Sequence, residues 1–196
     1  MVNPCYPSDH LQRFIAEAGM PARALEMGCG AGANLDWLTR ERRWRPTTLD
    51  AQATVRVELD AGIEKDEAAA AYARAWLDGY AMIVTGDIAE LPFPAQSFDL
   101  VFDIEAIYQN DWPTIQKIAN EAYRVLKPGG WFFGQMMRDA FDPKRPELSI
   151  GYRFTHAELL YLFQGMKPIT IDHAIRTWDN GSGRIAEWLV RARKPE

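Results

Sequence analysis

Hydrophobic and polar positions follow two different periods along this chain. Apolar residues recur three and four positions apart between Leu11 and Ala18, which predicts a helix that Asp9 caps and that Gly19 ends. Elsewhere, short apolar runs stand between turn residues, a pattern typical of buried strands. Because helix-type and strand-type patterns alternate along most of the chain, the sequence favours an α/β protein.

The apolar runs predict a series of strands separated by helices. One run leads into a glycine-rich turn, and three later runs predict strands at 82–87, 98–103 and 131–136. Helices are predicted at 114–126, where Lys-Pro-Gly-Gly at 127–130 ends the helix, and from a capping box at 155–158 toward Gly165. Alternation over 169–177 and 185–193, on either side of Asp-Asn-Gly-Ser-Gly, predicts a terminal hairpin.

The stretch between 45 and 80 allows two interpretations. A second strand can lie at 47–50 and end on Asp50, or it can lie at 55–60 and end on Asp60. The alanine-rich residues 64–77 then predict a helix in either case.

This order of elements predicts a doubly wound, mostly parallel sheet with a C-terminal antiparallel hairpin. The 196 residues suffice for one sizeable core, so we expect a single domain over 1–196. In such sheets, ligands bind at the carboxyl ends of the strands, near the point where the strand order reverses.

Charge and cysteine content narrow the range of partners. The net charge of -5 disfavours nucleic acid as a partner, and the arginine-rich residues 40–45 fit a solvated helix end. Only Cys5 and Cys29 are present, so no disulfide framework is implied. The N-terminus does not resemble a signal peptide, and no apolar run has the roughly 18 residues of a membrane span. We therefore expect a cytoplasmic protein without a membrane partner.

The strongest chemical signal is the glycine turn itself. Gly28, Gly30 and Gly32 alternate between a short apolar run and a helix, and Glu26 stands two positions before the first of them. Glycine allows the backbone to approach a ligand, and the helix start offers N–H groups to a carboxylate or phosphate.

Further carboxylates stand at the predicted ends of the later strands: Asp50 or Asp60 after the second, Asp87 after the third, Asp103 and Glu105 after the fourth. All of these ends line one crevice in the predicted sheet. That crevice suits a ligand with a positive centre, a ribose diol and a base.

Three blocks of sequence resemble the class I S-adenosylmethionine-dependent methyltransferases of the type 11 or type 25 kind. They are Leu-Glu-Met-Gly-Cys-Gly-Ala-Gly at 25–32, Gly-Asp at 86–87 with the residues over 91–101, and Glu-Ala-Tyr-Arg-Val-Leu-Lys-Pro-Gly-Gly at 121–130. The resemblance covers residues 22–136 and implies a seven-stranded sheet. It also implies S-adenosylmethionine as cofactor and S-adenosylhomocysteine as product.

The resemblance also assigns cofactor roles to residues. Glu26 would organise the loop and the ammonium group, and the acid closing the second strand would bind the ribose hydroxyls. Asp50 is favoured over Asp60 for that position because its distance from Gly32 is close to the family spacing. Asp87 would reach the adenine amino group, unless it merely caps a helix. The remaining predicted cofactor contacts are Gly28, Cys29, Gly30, Gly32, Asn34, Ile88, Asp103 and Ile104.

The acceptor is predicted less sharply. A hydroxyl acceptor is helped by a base, and Glu105, Asp103 and Tyr108 are the candidates at the fourth strand end, with Glu105 preferred. A structural carboxylate is the alternative for Glu105. The acceptor would be an oxygen or nitrogen of a small-molecule or sugar-type compound.

Substrate specificity is expected outside the cofactor core of 22–136. The regions are an N-terminal helical lid at 1–20, the segment 106–113, and a loop over 137–153 that precedes the last helix and hairpin. An aromatic wall over the methyl group, or alternatively core packing, is expected from Tyr6, Tyr108, Trp112, Phe141 and Tyr152.

Other functional classes are less well supported by the residues. The three histidines are scattered and do not suggest a metal site, and no Ser-His-Asp or Cys-His arrangement can be assembled. A nicotinamide-binding Rossmann protein fits the glycines but does not explain Glu26. A non-catalytic protein that binds S-adenosylmethionine as a sensor or as a partner subunit remains an alternative, and the oligomeric state stays open.

Overall fold

The computed structural model describes residues 6–44, 60–77, 81–138, 151–177 and 184–196. Its strands are β1 (Ala24–Met27), β2 (Asp60–Glu64), β3 (Ala81–Thr85), β4 (Phe98–Ile104), β5 (Leu126–Met137), β6 (Ile169–Thr177) and β7 (Arg184–Arg193). Its helices are α1 (Asp9–Ala18), α2 (Ala33–Trp44), α3 (Glu67–Leu77), α4 (Trp112–Val125) and α5 (His156–Leu162), with a short 3-10 helix at Ile107–Gln109.

The strands form one sheet in the order β3-β2-β1-β4-β5-β7-β6. Neighbours among β1 to β5 pair in parallel, whereas β7 is antiparallel to both β5 and β6. The predicted fold class is therefore confirmed, including the terminal hairpin. The chain order reverses between β1 and β4, so the switch point lies beside the glycine turn.

Helices cover both faces of the sheet and bury two apolar clusters. On one face, Phe14 of α1 stacks on Phe133 of β5 with ring centroids 5.1 Å apart. On the other face, Ile115 and Ile118 of α4 are fully buried together with Phe132 of β5. Strands buried on both faces read as apolar runs, which is why their positions could be predicted.

Two predicted element ends are wrong. Ser8, and not Asp9, caps α1, because the Ser8 hydroxyl accepts a hydrogen bond from the Leu11 N–H. The Lys-Pro-Gly-Gly sequence does not precede β5 but lies within it, since β5 starts at Leu126 directly after α4. Its four residues fit into the register shift by which Phe98 pairs with Leu126 and Leu100 with Trp131.

The second strand also differs from both interpretations of the sequence. The strand beside β1 runs from Asp60 to Glu64, so Asp60 opens it and Glu64 closes it. Asp50 lies outside the described residues, as do the predicted strand at 47–50, Cys5, and residues 139–150 of the predicted loop. The helix predicted over 64–77 begins at Glu67 as α3.

Candidate active site

A cleft of about 490 Å³ opens at the carboxyl edge of the sheet. The segments that follow β1, β2, β3 and β4 all contribute to its walls, as the predicted crevice requires. Seven residues that the sequence singled out line it together: Gly28, Gly30, Asp87, Ile88, Ile104, Glu105 and Tyr108. Their individual roles toward a ligand stay predictions.

The backbone of the glycine turn follows a path that side chains would obstruct. Gly28 has a φ of 71°, and a Cβ placed on it would lie 2.3 Å from the Cβ of Ala106 in the segment after β4. Gly30 has a φ of 50°, and a Cβ placed on it would meet no atom within 4 Å. Gly28 thus permits contact between two loops, whereas the backbone at Gly30 faces open space in the cleft.

Glu26 and Asn34 form a buried pair directly behind this turn. The Asn34 Nδ2 donates to the Glu26 Oε1 over 2.6 Å, and the Glu26 side chain is 1% exposed. The other oxygen, Oε2, is buried and has no hydrogen-bond partner among the described residues. A buried carboxylate oxygen in this state is suited to receive a donor from a ligand.

Asp103 repeats this arrangement at the end of β4, the strand next to β1. Its Oδ1 accepts from the backbone N–H groups of Ala106 and Ile107 at 3.1 and 3.0 Å. Its Oδ2 is buried and makes no hydrogen bond within the part of the chain that the structure describes. Asp103 pairs with Met27 and Glu26 with Phe102, so the two acids are one register position apart and start from opposite faces of the sheet.

Burial makes the charged forms of both acids unfavourable. The pKa of Glu26 is raised to about 8, mainly by burial and also by the neighbouring Asp103 and Glu64 carboxylates, while the Asn34 hydrogen bond acts in the opposite direction. Burial also raises the pKa of Asp103 to about 7, against the two backbone hydrogen bonds. A cation bound next to either carboxylate would favour its ionised form.

Glu64 is the acid at the end of β2 that sequence reasoning missed. Its Oε2 accepts from the Gly30 N–H over 2.9 Å, while its Oε1 accepts from the N–H groups of Lys65 and Asp66. Glu64 also lines the cleft. The only sequence signal for this strand was the short run 61–63 before Glu64, and three residues are too few to show the alternation typical of a strand.

Asp87 and Ile88 follow β3 on the opposite wall of the cleft. Asp87 is exposed, and its Oδ1 accepts from the Ala89 N–H over 2.8 Å within a turn. No helix starts there among the described residues, so Asp87 is not a helix cap.

Glu105 has an unusual backbone conformation at the end of β4. Its φ is 67°, a region that residues other than glycine rarely adopt, and its N–H donates to the Gln135 carbonyl oxygen over 3.2 Å. Gln109 donates to the Glu105 carbonyl oxygen from its side chain. Strain of this kind often accompanies functional sites, because the surroundings must hold it in place.

The predicted cofactor residues Cys29, Gly32 and Asn34 lie behind the cleft. Cys29 packs in the buried apolar cluster, and burial raises the pKa of its thiol. A Cβ on Gly32 would contact Leu77 of α3 and not the cleft. Cys29 and Gly32 therefore shape the turn from behind.

The predicted aromatic wall is only partly assembled. Trp112 and Tyr152 stack with centroids 5.4 Å apart, and the Tyr152 N–H donates to the carbonyl oxygen of Tyr108, which lines the cleft. Tyr6 is 86% exposed, and Phe141 lies outside the described residues. Burial and the Glu158 carboxylate raise the pKa of Tyr152 to about 12, so it stays protonated.

Among the described residues, no group of three or more metal-ligating side chains occurs that could hold a metal ion. No helix in the described part of the chain is long and apolar enough to cross a membrane.

The strand order, with the cleft at its switch point, defines the architecture of the class I methyltransferases. Residues 25–134, more than half of the chain, match the family described as a methyltransferase domain. The chain belongs to this family, whose members use S-adenosylmethionine. The match decides between the methyltransferase and nicotinamide interpretations of the glycine turn.

Curated relatives resemble parts of the chain. A sterol 24-C-methyltransferase of Aspergillus fumigatus is 34% identical over 128 residues, which make up 64% of this chain and 31% of the relative. A fatty-acid O-methyltransferase of Mycolicibacterium smegmatis is 31% identical over 148 residues, 71% of this chain and 49% of the relative. The matched stretch thus spans half or less of these relatives.

A solved structure shows the same fold over nearly the whole chain. Phosphoethanolamine N-methyltransferase 2 of Haemonchus contortus, in complex with phosphomonomethylethanolamine and S-adenosylhomocysteine, superposes with a TM-score of 0.73 at 16% identity. The superposition covers 95% of this chain and 52% of that chain.

Proposed function

We propose that this protein transfers the methyl group of S-adenosylmethionine to an oxygen or nitrogen of a small-molecule acceptor. The observation that carries the proposal is the pair of buried carboxylates, Glu26 and Asp103, beneath a cleft bordered by the glycine turn. When bound, the cofactor supplies an electrophilic methyl group on a positively charged sulfur.

The residues present fit this cofactor. Glu26 has one oxygen held by Asn34 and a second without a partner, which suits an ammonium donor. Glu64, at the end of β2, would accept from the ribose hydroxyls in place of Asp50 or Asp60. Asp87 and Ile88 line the far wall, where they would hold the adenine amino group and ring.

Asp103 and Ile104 would flank the sulfur end of the cofactor. The free Oδ2 of Asp103 is buried at the end of β4, next to the cleft residue Ile104. A carboxylate in this position stabilises positive charge more strongly than it would in water, because burial reduces solvent screening. Positioning and exclusion of water can then supply much of the catalysis.

Glu105 is the proposed base for a hydroxyl acceptor. It lines the cleft one position after Ile104, and its backbone conformation is fixed by the bond to Gln135. Its carboxylate would take the acceptor proton as the methyl group is transferred. A nitrogen acceptor that binds as the free amine needs no such base.

A small acceptor is supported by the charge of the chain and by its relatives. The net charge of -5 disfavours nucleic acid. The relatives are named for sterols and fatty acids, and the solved structure contains phosphomonomethylethanolamine. Methylation of carbon, as the sterol relatives are named for, is the outcome that would correct the proposed acceptor atom.

The proposal is tested by binding followed by an acceptor screen. In separate calorimetric titrations, S-adenosylmethionine and S-adenosylhomocysteine should each bind with one molecule per chain. In the presence of S-adenosylmethionine, at least one compound from a panel of small hydroxyl, carboxyl and amine compounds should be methylated, with formation of S-adenosylhomocysteine. Absence of binding at millimolar ligand would refute the proposal. Binding without turnover of any acceptor would instead favour a sensor.

Glu105→Gln separates the base from the cofactor site. For a hydroxyl acceptor, we expect kcat to fall about 100-fold or more, the scale of general base catalysis, with little change in S-adenosylmethionine affinity. Because glutamine has nearly the same size as glutamate and leaves the backbone conformation at position 105 unchanged, a loss of kcat can be attributed to the lost carboxylate. An unchanged kcat would assign Glu105 a structural role.

A further inference from the structure

Five polar residues are connected by hydrogen bonds beneath the start of α1, through their side chains and the backbone N–H of Ser8. Asn34 donates to Glu26 over 2.6 Å, and the Ser8 N–H donates to the Asn34 Oδ1 over 2.8 Å. The Ser8 Oγ donates to the Gln135 Oε1 over 2.8 Å, and the Gln135 Nε2 donates to the Glu187 Oε2 over 3.1 Å. Ser8 is thus the link between the carboxylate behind the cleft and a second buried carboxylate on β7.

The direction of these bonds fixes the orientation of the Asn34 amide. Because the Ser8 N–H needs an acceptor, the carbonyl oxygen of the amide must face Ser8, and the amide nitrogen must then face Glu26. A reversed amide would place a donor against a donor at Ser8 and an acceptor against an acceptor at Glu26. The backbone position of Ser8 therefore keeps the amide nitrogen of Asn34 on Glu26, where it occupies one of the two carboxylate oxygens.

The Ser8 hydroxyl, in turn, holds that backbone in place. The Oγ accepts from the Leu11 N–H over 3.2 Å as the cap of α1 and donates to Gln135 at the same time. A hydroxyl can do both, whereas an alanine methyl group can do neither.

The rest of α1 is attached independently of Ser8. Leu11, Phe14 and Ile15 are buried, and Phe14 packs on Phe133 of the sheet. Loss of the hydroxyl should therefore leave the helix docked and loosen only its first turn.

We infer that Ser8 is a positioning residue for the cofactor site, which orients Asn34 and thereby presents the second oxygen of Glu26 to the ammonium group of the cofactor. This inference rests on the proposed function, in which Glu26 meets that ammonium group. Ser8 itself does not line the cleft among the described residues.

The test compares two ligands that differ in the group Ser8 is proposed to serve. S-adenosylhomocysteine has the ammonium group, whereas 5′-methylthioadenosine has the same adenosine and sulfur without the amino acid portion. In Ser8→Ala, we expect S-adenosylhomocysteine to bind about 3- to 10-fold more weakly, the scale of one hydrogen bond, and 5′-methylthioadenosine to bind as before. Ser8→Thr keeps the hydroxyl and should restore the affinity.

Two controls make the comparison decisive. Thr155→Ala removes the cap of α5, which is not part of this network, and should leave both affinities unchanged. If Ser8→Ala does not fold, Ser8→Gly removes the same hydroxyl at a cap position that glycine tolerates. It should show the same selective loss.

Failure of this inference is distinct from failure of the proposed function. Equal weakening of both ligands, or no weakening of S-adenosylhomocysteine, would overturn the role of Ser8. If wild-type protein does not bind S-adenosylhomocysteine, the proposed function is wrong; if Glu26→Gln binds it as well as wild type, the proposed contact of Glu26 with the ammonium group is wrong. In a Glu26→Gln background, Ser8→Ala should cause no further loss.

Discussion

At the scale of single residues, Gly28 and Gly30 are both needed, but for different reasons. Gly28 accommodates Ala106 from another loop, so a side chain there collides within the protein. Gly30 has no atom in front of it, so a side chain there would occupy space that the proposed ligand needs. The structure of the ligand-free chain therefore predicts different consequences for the two positions.

Gly30→Ala should separate ligand binding from stability. The positive φ of 50° should cost about 1 to 3 kcal/mol of stability, while S-adenosylhomocysteine affinity should fall at least 10-fold because the methyl group enters the cleft. Gly19→Ala is the matched control, since Gly19 also has a positive φ and open space, but lies at the end of α1. Equal affinity for Gly30→Ala and Gly19→Ala would contradict the placement of the ligand.

Glu26 should reduce the stability of the ligand-free protein at neutral pH. Its pKa is raised from 4.5 to about 8 by burial, so the folded state binds the proton more tightly than the unfolded state. The stability that the protonated Glu26 side chain contributes to the folded state is therefore fully present below pH 4.5 and is lost as the pH rises toward 8. Asp103, with a pKa raised from 3.8 to about 7, acts in the same direction.

Glu26→Gln should consequently lose less stability than wild type between pH 5 and pH 9. Urea unfolding at several pH values measures the difference, which should reach a few kcal/mol. A variant that is more stable at pH 8 yet binds the cofactor poorly would identify Glu26 as a residue kept for function. Parallel pH profiles of the two proteins would contradict the raised pKa.

Some site residues could be predicted from the sequence and others could not. Glu26, Gly28, Gly30, Asp87 and Glu105 stand directly after or within strong local patterns, and the structure brings them to one edge. Glu64 was missed because β2 offers only a short apolar run before it. Ser8 was not predicted as the cap of α1 because the neighbouring Asp9 is an equally suitable cap residue. Only the hydrogen bonds of Ser8 to Asn34 and Gln135, which are distant in the sequence, distinguish the two positions.

At the scale of elements, the junction of α4 and β5 depends on a buried lysine. The Lys194 Nζ donates to the carbonyl oxygens of Tyr123 and Leu126, each over 2.8 Å, and lies 4.4 Å from the centroid of the Tyr123 ring. These carbonyls are at the end of α4, where the helix itself provides no donors. Burial lowers the pKa of Lys194, but the amine still donates to both oxygens.

Lys194→Met should destabilise the protein by about 2 kcal/mol, because two buried carbonyls lose their donor. Urea unfolding gives the value, and the affinity for S-adenosylhomocysteine should not change. Lys127→Met is the control, since Lys127 only pairs with Asp99 in a partly exposed ion pair worth about 0 to 1 kcal/mol. Similar losses for the two variants would show that the junction does not depend on Lys194.

Elements were predictable wherever periodicity was local. The positions of α4, β4 and the terminal hairpin follow from apolar spacing and strong turn residues. The start of β5 was not predictable, because Lys-Pro-Gly-Gly is a typical turn sequence and only the pairing of Leu126 and Trp131 with β4, on either side of it, makes it part of the strand.

At the scale of the whole molecule, the sheet consists of a parallel part and an antiparallel part. The parallel part comprises β1 to β5, and the segments that follow β1 to β4 form the cleft at one edge. The antiparallel part brings Glu187 and Trp188 of β7 next to β5. The segments around the cleft carry recognisable sequence blocks, so the fold and the cofactor could be predicted, whereas no such block identifies the acceptor.

Cofactor binding should depend on pH in a direction that the buried acids determine. An ammonium group favours the ionised form of Glu26, so binding below pH 8 must release a proton. The affinity for S-adenosylhomocysteine should rise between pH 6 and pH 8, and Glu26→Gln should show a flatter profile. Titrations in two buffers of different ionisation enthalpy would measure the proton release, and heats independent of the buffer would contradict it.

The most direct test of the account is calorimetric titration of S-adenosylhomocysteine into wild type and Glu26→Gln at one pH near 7.5. The account predicts one ligand per wild-type chain and an affinity at least 10-fold weaker for the variant, because the ammonium group loses its charged partner. Equal affinity for the two folded proteins, or no binding to wild type at millimolar ligand, would contradict the assignment of the cleft.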